Sequence, residues 1–125
     1  MIYLPNYTEI IPHLYIGNAA SLSDVYLFDL VINCTTDLPF PSDRIRKLYK
    51  QTYIRFSVDE DNQHILDTIH NVISQNKNVL LYCNTGQHQS CILGAYYILH
   101  TNGQMQYNDI ITFITKKRLT HIQVQ

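Results

Sequence analysis

The chain has no tryptophan and carries little charge: 15% of its 125 residues, 9 basic against 10 acidic, for a net charge of −1. A nucleic-acid surface needs a strong basic excess, so this balance argues against a nucleic-acid partner. No apolar run approaches the roughly 20 residues that span a bilayer, and the N-terminus lacks a charged-then-apolar signal pattern, so no membrane association is expected. Cysteine is sparse and odd in number. Cys34, Cys83 and Cys91 cannot form a disulfide framework and read as reduced thiols, which points to an intracellular, cytoplasmic setting. There is no internal repeat, low-complexity tract or linker. Hydrophobic residues make up 46% of the chain, enough for residues 1–125 to fold as one domain with a modest core and too short for two. The wealth of Asn, Ile, Tyr, Gln and Lys is what an AT-rich genome, viral or other, would encode.

Apolar patterning alternates between two periods. Residues 13–17 form a short β-rich run stopped by Gly17 and Asn18, and 21–28 follow as a short helix capped by Ser21 or Ser23. Residues 29–37 hold a buried strand entering a polar turn; 38–43 are a proline-marked loop; 52–58 are a second strand. Ile65, Leu66, Ile69, Val72 and Ile73 lie at helical spacing within 64–75. Residues 77–83 are apolar on both faces, as a central parallel strand should be. Residues 90–103 read as a buried helix closed by Asn102-Gly103, and 107–118 as an amphipathic helix whose last turn is cationic. Strands alternating with helices predict an α/β domain with a largely parallel sheet flanked by helices.

In such sheets ligands bind beyond the carboxyl ends of the strands, and Cys83 ends the most buried one. The six residues Asn84, Thr85, Gly86, Gln87, His88 and Gln89 then lead to Ser90 at a helix start. Successive N–H groups of a tight loop, continued by a helix N-terminus, cradle an anion, and the same dipoles stabilise a thiolate at their mouth. Gly86 permits the positive φ or close backbone approach such a loop needs. Ser90 can cap the helix or donate to the sulfur. From spacing alone, a strand-end core cysteine with an ordinary glycine turn explains the segment equally well. A metal does not: Cys83, His88 and Cys91 have a spacing that matches no common zinc site, and no fourth ligand follows. No metal or other cofactor is expected.

The segment resembles the signature loop of protein tyrosine phosphatases, in particular the small dual-specificity phosphatases: His-Cys, five residues with a central Gly, then Arg-Ser or Arg-Thr. Cys83, Gly86 and Ser90 fall in register. Residues 10–24, 29–39, 53–66 and 78–99 look like the family's opening strand and turn, next buried strand, acid-bearing segment, and central strand with loop and helix, in the family's order. The resemblance implies a compact phosphatase-like α/β domain, with Cys83 as nucleophile and the loop as phosphate site. The family's histidine before the cysteine falls on Tyr82. Its general-acid aspartate falls on Glu60, between Asp59 and Asp61. Its loop arginine falls on Gln89, whose amide donates hydrogen bonds but carries no charge. Loss of such a charge costs about 10³ to 10⁵ in phosphoryl-transfer rate. Two functions follow as expectations: a pseudophosphatase that binds a phosphorylated protein or other phosphoester with little or no turnover, or a weak phosphatase working through Cys83 and an acid among Asp59, Glu60 and Asp61. After Arg118 family members continue into one more helix. Its lack here would leave apolar surface near Ile110 to Ile114 for a second copy or a partner to bury.

Overall fold

The computed structural model describes residues 2–49, 51–56, 62–119 and 123–124. Strands β1 (Ile2–Tyr3), β2 (Tyr7–Ile11) and β3 (Leu14–Gly17) come first, followed by a 3₁₀ segment (Ala19–Leu27) and β4 (Leu30–Asn33). Helix α1 (Asp43–Tyr49), strand β5 (Thr52–Arg55), helix α2 (Gln63–Ser74) and strand β6 (Val79–Tyr82) complete the middle. Helices α3 (Gln89–Thr101) and α4 (Tyr107–Leu119) and strand β7 (Gln123–Val124) end the order. Five strands form one sheet in the order β2-β3-β6-β4-β5, with β2 antiparallel and the other pairings parallel. β1 and β7 pair separately.

β6 lies at the centre, as its unbroken apolar run predicts, and every residue of β6 and of its neighbour β4 is buried. Alternation along β6 divides the core. Leu81 and Cys83 face Leu14, Ile16, Ile69, Leu93 and Ile110 beneath α2, α3 and α4. Leu80 and Tyr82 face Val25, Phe28 and Val31 on the other side. That second layer is thin, built from the 3₁₀ segment and edge-to-face rings of Tyr7, Tyr15 and Phe28.

Several expectations change here. The helix predicted at 21–28 is a 3₁₀ segment that breaks its geometry at Asp24 and is capped by Asn18, not by Ser21 or Ser23. Ser21 is instead buried and hands its hydroxyl proton to the Asn18 carbonyl. Near Ile110 to Ile114, where bare surface was expected, Ile111 and Phe113 are half-buried, whereas Ile110 and Ile114 have no solvent exposure. The physical reason is that α4 packs on α3 and reaches β2, so the chain's own sheet edge covers them. Each buried isoleucine contributes about 1.5–3 kcal/mol, and neither is left for a second copy to bury. Among the described residues the last helix is α4. No described helix is long and apolar enough to cross a membrane.

Candidate active site

Parallel pairing sets the position of Cys83. Its N–H donates to the Gly17 carbonyl at 3.2 Å, and on the other side the Cys34 N–H donates to the Tyr82 carbonyl at 2.8 Å. The chain then leaves the sheet, turns at Gly86 with φ 70°, and enters α3 through His88. No acidic side chain occupies the first turn of α3, so its N-terminal dipole faces the loop unneutralised.

The loop closes around the sulfur. Cys83 Sγ lies 3.1 Å from Ser90 Oγ. Burial pushes the Cys83 thiol up. The Ser90 hydroxyl and the N–H groups of Ser90, His88 and Gly86 outweigh burial, and the thiol ends below its ordinary value of 9.0. The structure thus brings Cys83, Gly86, His88 and Ser90 together around the sulfur. His88 contributes its backbone; its side chain is exposed and makes no capping bond. Asn84, Thr85 and Gln87 are exposed, and Gln87 N–H donates to Thr85 Oγ1 at 3.3 Å. Gln89 is the exposed first residue of α3. Asp59, Glu60 and Asp61 lie outside the described residues.

Tyr82 has no part in this chemistry. It points to the opposite face of β6 from Cys83, and its hydroxyl donates to the Pro39 carbonyl at 3.2 Å. Its phenol is pushed up to about 12, chiefly by burial. Arg55 is likewise occupied: it donates to the carbonyls of Thr35 at 2.6 Å and Leu38 at 3.0 Å and covers Phe40, bracing the chain that leaves β4.

The residue missed by sequence reasoning is Arg118. Read only as one of the cations in a helix's last turn, it is 3% exposed. Its Nη1 donates to Thr8 Oγ1 and to the Ile16 carbonyl, both at 3.1 Å, and its Nη2 to the Thr85 carbonyl at 3.5 Å. The signal was present: Ile110, Ile114 and Arg118 are spaced four apart and share the buried face of α4.

The site's thiols make alkaline stability a test of this burial. Burial holds Cys34 well above 9.0 and Cys91 at about 11, as it holds Tyr82 at about 12. Stability from these three is whole below their ordinary values and is lost as pH rises through the raised ones. Cys83 has the opposite sign: its contribution is lost as pH falls through its lowered value and is complete above 9.0. Above 9.0 Cys83 no longer adds stability while the three raised groups still lose theirs, so the urea midpoint should fall between about pH 9 and pH 12. A midpoint that holds steady across that range would contradict the burial of the three.

Comparison with known proteins settles the family. The sequence family described as Dual specificity phosphatase, catalytic domain, matches residues 14–125. The chain belongs to the dual-specificity phosphatase family. Tyrosine-protein phosphatase MSG5 of Saccharomyces cerevisiae is 30% identical over an alignment of 107 residues that covers 78% of this chain and 22% of that protein. The chain therefore spans about a fifth of that relative's length. Among solved structures, human DUSP28 superposes with a TM-score of 0.76 at 15% identity, covering 94% of this chain and 84% of that one. The human tyrosine phosphatase-like serine/threonine/tyrosine-interacting protein gives 0.67 at 17% identity, covering 90% and 84%. At such identities these likenesses show the fold.

Proposed function

We propose that this domain is a pseudophosphatase: a phosphoester-binding member of its family that turns over little or nothing. Gln89 carries the reading. The loop from Asn84 to Gln89 holds no Lys or Arg, so no permanent charge within it meets the transferring phosphoryl group. The cradle of N–H groups and the N-terminus of α3 are intact, which supports binding without that charge. The ligand is a phosphorylated protein or another phosphoester, held by the loop and released unchanged.

A second reading is supported by one observation. The thiol of Cys83 is lowered and Ser90 stands 3.1 Å away, so the nucleophile is still primed for attack and for departure. A weak phosphatase would use Cys83 as nucleophile and a carboxylic acid among Asp59, Glu60 and Asp61 to protonate the leaving group.

Binding is the direct test. A charge-assisted contact is worth about 1.5–3 kcal/mol, so phosphate or a phosphotyrosine peptide should bind one to two orders of magnitude more weakly to the wild type than to Gln89→Arg. Calorimetric titration of both proteins measures the ratio. Equal affinities would remove Gln89 as the weak point, and no binding by either would remove the binding reading.

A further inference from the structure

The front of the loop is explained by Cys83 and the amides that converge on it; its rear is not. A trans peptide points its C=O and N–H in opposite directions. In the peptide joining Thr85 to Gly86, the carbonyl faces back to Arg118 Nη2 at 3.5 Å, and the N–H faces forward to the Cys83 sulfur. The next carbonyl, of Gly86, is also held from behind, by Cys91 Sγ at 3.4 Å. Arg118 is itself anchored through Nη1 to Thr8 on β2 and Ile16 on β3, so the guanidinium bridges the sheet edge and the loop. The fit is close: a Cβ at position 86 would lie 2.7 Å from Arg118 Nη2. Among the described residues no carboxylate pairs with Arg118, and its Nε has no partner. Among the described residues the guanidinium is therefore held by the loop and strand acceptors.

We propose that Arg118 is a positioning residue of the oxyanion loop, which holds the Thr85 carbonyl from behind and so aims the Gly86 N–H at Cys83 and at an oxyanion bound above it. This rests on reading the loop as an anion cradle. The loop holds no arginine of its own, and the cation on α4 braces its shape from behind without touching the phosphoryl group.

The test follows the thiolate of Cys83 and needs no phosphoester, so a failure to bind phosphate would leave it standing. Iodoacetamide alkylation of Cys83 is measured against pH by mass spectrometry in wild type, Arg118→Met, Arg118→Lys and Ile114→Val. Among the described residues the titratable groups around Cys83 are Cys34 on the strand side, Cys91 on α3, His88 in the loop and Arg118 itself. Burial keeps Cys34 and Cys91 protonated near neutrality. In Arg118→Met the Cys83 thiolate fraction at a given pH should fall about tenfold, the loss of one hydrogen bond to a charged acceptor. Arg118→Lys, which keeps a cation but loses the planar fork, should fall severalfold. Ile114→Val loosens the same helix without touching the guanidinium and should titrate as wild type. An unmoved profile in Arg118→Met overturns the proposal, as does an Ile114→Val shift of equal size, which would reduce the arginine to a helix anchor. Should circular dichroism show Arg118→Met unfolded, a wild-type profile in Arg118→Lys overturns it.

Discussion

Gln89→Arg should raise hydrolysis of a generic aryl phosphate by about 10³ to 10⁵, the reverse of what loss of a charged stabiliser costs in phosphoryl transfer. That is roughly 4 to 7 kcal/mol at the transition state. The structure gives the substitution room, because Gln89 is exposed at the first position of α3 and packs into no core. Stability should change by no more than about 0.5 kcal/mol. The gained activity should vanish in Gln89→Arg/Cys83→Ser, since a hydroxyl there has a far higher pKa than a thiol and no base to activate it. In the rescued protein Glu60→Gln should slow poor leaving groups more than good ones, because only the former need a proton. If Asp59→Asn or Asp61→Asn shows that pattern instead, the acid lies one residue away from the assigned position. A wild type that already matches Gln89→Arg, with Cys83 essential, would mean that another group supplies the charge and that the pseudophosphatase reading is wrong.

Gly86→Ala should cost at least about 2 kcal/mol of stability and disarm Cys83 at the same time. Two effects add. The φ of 70° lies in the left-handed region that a Cβ disfavours. The added Cβ would also stand 2.8 Å and 2.9 Å from the backbone carbon and oxygen of Gly17, which cannot swing away as a side chain can. Relief requires the loop to lift from β3, and lifting turns the Gly86 N–H off the sulfur. Urea unfolding measures the first effect, and the pH profile of Cys83 alkylation the second. A variant as stable as wild type with an unchanged profile would show that the loop does not need this turn.

Much of the framework was legible because burial writes itself as period. The unbroken run of 77–83 marked the central strand, and the spacing of Ile65, Leu66, Ile69, Val72 and Ile73 marked α2. Helix α1 was missed for the converse reason: none of its residues is buried, so Ile45 and Leu48 leave no core stripe to read. Strand β2 is a sheet-edge strand whose partner is fixed by a turn at His13, also at positive φ, which local sequence does not announce. At the site, Cys83, Gly86 and Ser90 could be placed because the loop is contiguous. Arg118 arrives from 28 residues beyond Ser90, and what identifies it is not its type but the helix face it shares with two isoleucines. Tyr82 shows the same limit. Next to Cys83 in sequence, it is across the sheet from it in space.

The exposed place of Gln89 on the first turn of α3 has an evolutionary consequence. The codons for glutamine differ from two of those for arginine by a single base. Among the described residues this exposed side chain belongs to no core cluster, so no core has to repack between the two forms. A lineage carrying this domain therefore sits one nucleotide from a fully charged loop. If the glutamine is kept, the fold is not what keeps it; selection on what the loop does must be.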